Sequence, residues 1–204
     1  KNWIYEIKEI NYFNELQIIN ILPNWYNIQI NYIYNNITNK NLKIFKNKKN
    51  IYYLKLFHCN NIINNNISDV SALSSCHSLT LKCCYYISDI SVLSSCKKLI
   101  LIRLNISDVS ALGSCNNLTL EECYNISDVS ALSNCKNLTL DRCEKILDVS
   151  ALGKCHNLTL YGLDISDVSA LGKCHNLTLS WCKNISDVSA LGKCHNLTLN
   201  WCKN

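Results

Sequence analysis

The sequence predicts an α/β-type solenoid: parallel strands stacked in register, joined by short turns, with little α-helix. Three observations point there. From Ile67 to Asn204 one unit is written seven times, starting at Ile67, Ile87, Ile106, Ile126, Ile146, Ile165 and Ile185, so the period is 20 residues, twice shortened to 19. Each unit holds a polar–apolar alternation, as in Asn176-Leu177-Thr178-Leu179-Ser180, the period-two pattern of a strand with one buried face. Each also holds a Ser-Asp-Val-Ser-Ala-Leu segment, with room for a single 3₁₀-like turn and none for a long helix. A unit of this size cannot bury its apolar face alone, so neighbours stack into one core.

In chain order, residues 1–22 carry Ile4, Ile7, Ile10, Phe13, Leu16 and Ile19 at helical spacing, which predicts a cap over the first strand. Residues 1–50 are taken as a capping or divergent-repeat segment, with a weaker echo of the repeat at Ile28-Gln29-Ile30 followed by Ile33. From Ile51 the spacing of the later units is already present, in Ile51-Tyr52-Tyr53-Leu54-Lys55-Leu56-Phe57-His58-Cys59-Asn60-Asn61-Ile62. The array therefore covers 51–204. It ends on a full unit with no polar cap, which predicts continuation beyond Asn204. A start at Lys1 and the absence of methionine likewise predict a fragment. Seven strands about 4.8 Å apart would span roughly 30 Å. In the turn, Ser186 or Asp187 is expected to accept an orphan backbone N–H, and Gly192 to end the turn in the left-handed conformation.

The pattern C-x-x-L-x-L-x-x-C-x-x-I, at Cys174, Leu177, Leu179, Cys182 and Ile185, resembles the signature of the leucine-rich repeat family. The I-S-D-V-S-A-L tail is similar to the short repeats of bacterial internalins and of arrays from large DNA viruses and protists. The resemblance implies a right-handed superhelix with its parallel sheet on the concave face and turns or 3₁₀ segments on the convex face. It also implies a protein-binding role. Cys in place of the first signature Leu is a departure in all seven copies and changes core volume.

Thirteen of the 14 cysteines fall in two columns. One is Cys76, Cys96, Cys115, Cys135, Cys155, Cys174 and Cys194; the other is Cys59, Cys84, Cys123, Cys143, Cys182 and Cys202, and Cys83 stands outside both. Leu104 and Leu163 fill the second column in the short copies, and leucine can neither bind a metal nor form a bridge. These positions are thus read as core volume, with unpaired thiols that imply a reducing compartment. Ten N-x-S/T triplets agree, because those starting at Asn117, Asn137, Asn157, Asn176 and Asn196 would place glycans on the sheet. The cytoplasm is expected, a host's if the chain is viral.

A formal charge of +5, with lysines spread along the chain, gives no basic stripe for nucleic acid, and no apolar run is long enough to span a membrane. There is no glycine-rich phosphate loop, no H-E-x-x-H and no nucleophile elbow. The Asp of every S-D-V-S unit serves all copies alike and is structural. No enzyme activity, cofactor or metal is expected. His156, His175 and His195 form a column beside Lys154, Lys173 and Lys193; the lysines would repel a cation, so a solvated loop edge is expected. Thr80, Thr119, Thr139, Thr159, Thr178 and Thr198 form an outward ladder broken at Ile100, a poor lattice match for ice and a good strand face.

Several columns change between copies, and two of them adjoin the strands. The position after the second strand leucine reads Lys82, Ile102, Glu121, Asp141, Tyr161, Ser180, Asn200, and by alternation faces outward beside the threonines. The next reads Cys83, Arg103, Glu122, Arg142, Gly162, Trp181, Trp201. Pairs such as Tyr85-Tyr86, Tyr124-Asn125, Glu144-Lys145 and Lys183-Asn184 vary too. A constant scaffold with variable charged and aromatic groups along one face is the pattern of a recognition surface. Drift at permissive exposed positions produces the same pattern, and the two stay open here. The expectation is a non-catalytic module binding a protein partner through Lys82, Ile102, Arg103, Glu121, Glu122, Asp141, Arg142, Tyr161, Ser180, Trp181, Asn200 and Trp201. An alternative is a substrate receptor of a ubiquitin ligase, in which Leu22-Pro23 would be the remnant of an F-box-like opening.

Overall fold

The computed structural model describes residues 3–7, 26–34, 38–46, 51–57 and 67–202. It divides into two compact units, Lys1–Asn105 and Ile106–Asn204. The first unit carries β1 (Trp3–Ile7), β2 (Tyr26–Tyr34), β3 (Ile51–Phe57), β4 (Ser78–Lys82) and β5 (Lys98–Ile102). They pair in parallel and in chain order. The second carries β6 (Asn117–Glu121), β7 (Asn137–Asp141), β8 (Asn157–Tyr161), β9 (Asn176–Ser180) and β10 (Asn196–Asn200), equally parallel and without a register shift.

The alternation sets this order. In β6, β7 and β8 the two leucines are buried while Asn, Thr and the last residue are half-exposed. Through one whole unit, Leu138, Leu140, Cys143, Ile146, Val149, Leu152 and Cys155 are all buried. Equivalent residues of successive copies meet in register, so each repeat's apolar row is closed by its neighbour's. Between strands, 3₁₀ turns such as Ser150–Lys154 replace helix.

Helical spacing at the N-terminus did not make a helix in the part described. Ile4 and Ile7 lie in β1, which pairs residue by residue with β2. Parallel pairing with a neighbouring strand overrides a local three-residue rhythm, because each strand residue gains ladder bonds that a short helix could not better. Ile10, Phe13, Leu16, Ile19, Leu22 and Pro23 lie outside the described residues, as do His58 to Ile62 with Cys59. The echo at Ile28 is a strand, with Ile28 and Ile30 fully buried, although its register against β3 shifts twice.

Among the described residues one short α-helix, α1 (Asn39–Leu42), follows Thr38, whose hydroxyl accepts the Asn41 N–H while Asn41 Oδ1 accepts the Thr38 N–H. This reciprocal cap fixes the turn that buries Leu42 and Phe45. Asn39 Oδ1 in turn accepts the N–H groups of Ser68 and Asp69, each at 3.1 Å, tying α1 to the first S-D-V-S segment.

The turn chemistry is partly as expected. Asp69, Asp89, Asp108, Asp128, Asp148, Asp167 and Asp187 each accept the N–H of the serine two residues on, at 2.8 to 2.9 Å. These bonds hold the carboxyls of Asp69, Asp108, Asp128, Asp148, Asp167 and Asp187 below the usual range. The glycines differ from expectation. Gly192 is not left-handed, and Gly162 is the only described glycine with positive φ. Gly113, Gly153 and Gly172 serve close approach: a Cβ there would stand 2.1 to 2.3 Å from an alanine carbonyl oxygen of the next repeat. Ser133 holds the same place in another turn, so the requirement belongs to individual repeats.

The described cysteines line the core, and none is in a disulfide. Their thiols bridge repeats. Cys135, Cys155, Cys174 and Cys194 donate to the carbonyls of Leu112, Leu132, Leu152 and Leu171 in the preceding turn, at 3.4 to 3.6 Å. In the second column Cys143, Cys182 and Cys202 reach Leu120, Leu160 and Leu179 in the same way. Leu104 and Leu163 do without these weak bonds and are as buried as the cysteines they replace. Burial pushes the Cys135 and Cys143 thiols up to about 12 and that of Cys155 to about 11.

Candidate functional surface

The variable edge is built by one backbone device. After each strand the chain must turn so that the next cysteine or leucine points inward, whereas strict alternation would send it out. A residue in the left-handed region makes that break. Cys83, Arg103, Glu122, Arg142, Gly162, Trp181 and Trp201 all have φ between 49° and 61°. Their N–H groups stay in the ladder: Glu122 donates to the Asp141 carbonyl, Arg142 to Tyr161, Gly162 to Ser180 and Trp181 to Asn200, at 2.8 to 2.9 Å. Cys123, Cys143, Leu163 and Cys182 then enter the core. For a residue with a side chain this conformation costs about 1–2 kcal/mol relative to the right-handed region, and glycine is free of it.

In the second unit Glu121, Asp141, Tyr161, Ser180 and Asn200 stand opposite one another on adjacent strands, all half-exposed or buried except Asn200. Beside them Glu122 and Arg142 form a fixed pair. Arg142 Nη1 donates to Glu122 Oε1 at 2.9 Å, and Tyr124 Oη donates to Glu122 Oε2 at 2.9 Å. Glu122 is buried, and both donors meet its carboxylate there. The guanidinium lies 5.4 Å over the Tyr161 ring. Gly162 leaves it room, since a Cβ there would sit 3.2 Å from Arg142 Cγ. Asp141 and a hydrogen bond to Tyr161 raise Arg142 further above its ordinary pKa.

Asp141 is less satisfied. Its Oδ1 is shielded from solvent and has no hydrogen-bond partner; Arg142 Nε stands 3.5 Å away. Burial raises its pKa, more than Arg142 lowers it. Two strands on, the Trp181 and Trp201 rings stack at 5.4 Å with 20° between planes, and Lys183 Nζ lies 5.6 Å over Trp181. Trp181 is 41% exposed and Trp201 74%.

Sequence reasoning gathered these residues but treated them all as exposed. Glu122 and Ser180 are buried, and so is Cys83 of the same column. The left-handed row was missed, and Gly162 was its one sign. Tyr124 and Lys183, noted only as variable neighbours, turn out to hold Glu122 and to cover Trp181. Lys82, Ile102 and Arg103 belong to the first unit, where Lys82 and Ile102 are register partners at the ends of β4 and β5. There the outward face is partly covered: Ser78 and Thr80 are buried, and Thr80 Oγ1 has no hydrogen-bond partner, so the threonine ladder is not uniformly a solvent face.

Two further rows lie in the second unit. Asn137, Asn157, Asn176 and Asn196 each donate Nδ2 to the Oδ1 of the preceding Asn, starting from Asn117. The amide nitrogens of these N-L-T triplets are thereby engaged within the sheet. His156, His175 and His195 stack with centroids 4.5 to 4.6 Å apart and planes 8° from parallel. A groove of about 620 Å³ runs along the 3₁₀ turns past Gly153, Gly172, Lys154 and Lys173; its near-invariant lining follows from turn packing. Among the described residues no group of three or more His, Cys, Asp or Glu side chains could hold a metal ion, and no helix is long and apolar enough to cross a membrane.

No protein-family model matches the chain, and no curated protein does. Solved structures do resemble it. An internalin, InlF of Listeria monocytogenes, superposes with a TM-score of 0.55 at 18% identity, over 97% of this chain and 72% of that one. Internalin C2 of the same organism gives 0.48 at 23%, over 97% and 78%. A plant peptide hormone receptor gives 0.49 at 14%, over 96% and 34%. Parallel strands in regular 19- to 20-residue repeats, 3₁₀ turns between them and the likeness to InlF together make this a leucine-rich-repeat solenoid.

Proposed function

We propose that the chain is a non-catalytic protein-binding module, and that the outward edge formed by Glu121, Glu122, Asp141, Arg142, Tyr161, Ser180, Trp181, Asn200 and Trp201 is its binding surface. One observation carries the reading. The left-handed row would be most stable filled with glycine, and Gly162 proves that glycine fits, yet six other copies hold Cys, Arg, Glu or Trp at about 1–2 kcal/mol each. Strained side chains that are exposed and aromatic, as at Trp181 and Trp201, are better explained by what they touch outside the chain than by the fold. Lys82, Ile102 and Arg103 continue the same columns in the first unit and are offered as further contacts. Unbridged thiols and engaged N-L-T asparagines favour a reducing compartment such as the cytoplasm.

The test is capture from cell extract with the full chain and with Tyr161→Ala/Trp181→Ala/Trp201→Ala, quantified by mass spectrometry. The expected result is at least one protein retained by the first and lost by the second. Identical retention by both contradicts the assignment of this face.

A further inference from the structure

The edge is not uniform, and its asymmetry selects a kind of partner. Around the ends of β6, β7 and β8 stand five carboxylates, Glu121, Glu122, Asp141, Glu144 and Asp164, against two cations, Arg142 and Lys145, a net charge of −3. Arg142 is shared between Glu122, at 2.9 Å, and Asp141, at 3.5 Å, and Lys145 donates to Asn125 Oδ1. Glu121 has no ion pair among the described residues. Asp141 Oδ1 is a shielded acceptor without a donor. Glu121 and Asp141 are register partners, so their carboxylates sit one strand apart on the same face. After β9 and β10 the character changes. The stacked Trp181 and Trp201 are exposed, Lys183 lies over the first, and no carboxylate occurs between Ser180 and Ile185. A cation is thus attracted to one end of the row and repelled from the other, while apolar area is on offer at the second end only.

We infer that the partner reaches this face as an extended segment that places a Lys or Arg side chain over Glu121 and Asp141 and, four residues along, a large apolar or aromatic side chain against Trp181 and Trp201. This rests on the reading of the face as a protein-binding surface. The spacing follows from geometry. Ser180 is two strand steps from Asp141 and Asn200 is three, so the Trp pair lies about 10–14 Å from the carboxylates at about 4.8 Å per step. An extended chain rises about 3.3–3.4 Å per residue and shows one face every second residue. Two residues cover only about 7 Å, and four cover about 13 Å. Arg142, held on Tyr161 by Glu122, bars the middle of the row to a second cation.

The test selects binders from a random twelve-residue peptide library displayed on phage against the full chain, then measures synthetic peptides by fluorescence anisotropy. Enriched sequences are expected to carry Lys or Arg followed four residues later by an aromatic or large aliphatic residue. Their affinity should fall at least tenfold with Trp181→Ala, fall at least tenfold with Glu121→Gln/Asp141→Asn, and weaken with salt. Binders that depend on Trp181 but carry no basic residue, or carry one at a helical separation of seven, overturn the inference and leave the binding surface standing. Binders indifferent to both substitutions overturn both. No enrichment overturns the linear-segment inference, and the capture experiment then decides the surface by itself.

Discussion

Arg142 Nη1 meets Glu122 Oε1 at 2.9 Å, joining two left-handed residues at the ends of adjacent strands. The pair is asymmetric, because the Glu122 side chain is 7% exposed and that of Arg142 49%. Losing the arginine therefore takes a charged donor away from a buried carboxylate. Arg142→Ala is expected to cost about 1.5–3 kcal/mol in urea unfolding, the range for a charged hydrogen bond. Glu122→Gln should cost less, since the amide still accepts from Arg142. Equal losses in both variants would mean that burial of the charge is not what matters.

Gly162→Ala tests the left-handed row from the other side. The substitution forces a side chain into φ of about 61° and brings Cβ to 3.2 Å from Arg142 Cγ. A loss of about 1–2 kcal/mol is expected. Gly192→Ala, with nothing within 4 Å of the new Cβ and no positive φ, should be neutral within about 0.5 kcal/mol and serves as the control.

The thiols give a chemical readout. Of the described cysteines in the folded chain at pH 8, iodoacetamide should modify Cys194 and Cys202 first, because these are only partly buried, and should leave Cys135, Cys143 and Cys155 unmodified, since burial holds their thiols near 11 to 12. In denaturant without reductant all 14 should react. A shortfall would reveal disulfides and remove the argument for a reducing compartment. Cys143→Leu, the residue found at the same place in two other copies, should cost under about 1.5 kcal/mol.

The histidine stack predicts a pH dependence. His175 lies between His156 and His195; desolvation first, then its two neighbours, lower its pKa below 6.5. The unfolded chain then binds the proton more readily than the folded one. Stability should be full above about pH 6.5 and decline as the pH falls from there to the depressed folded value. The melting temperature of His175→Asn, which copies Asn116 in the same column, should fall less between pH 7 and pH 5 than that of the unmodified chain. An equal fall would place the effect elsewhere.

Much of this fold was legible because each repeat reports the same interaction several times. Leu138 and Leu140 look like any strand pair until Leu158 and Leu160 recur 20 residues later in the same frame. The turn aspartates were legible for the same reason. What escaped was set by neighbours in space. Nothing local in Glu122-Cys123 requires a left-handed residue; that need arises because Cys123 must enter a core closed by other repeats. The burial of Glu122 was hidden too, as it depends on Arg142 and Tyr124 arriving from two directions. At the N-terminus Ile4 and Ile7 kept a helical rhythm, and pairing with β2 decided against it.

The central claim is that the exposed tryptophans of the variable edge are there for a partner and not for the fold, and Trp201→Gly tests it most directly. Relief of a left-handed tryptophan is worth about 1–2 kcal/mol, and loss of its stacking on Trp181 costs about 0.5–1.5 kcal/mol. Unfolding free energy and partner retention, measured on the same preparation, should therefore separate: stability unchanged or higher within about 1 kcal/mol, and retention of the captured protein reduced at least tenfold. Retention equal to that of the unmodified chain, at unchanged stability, would contradict the account.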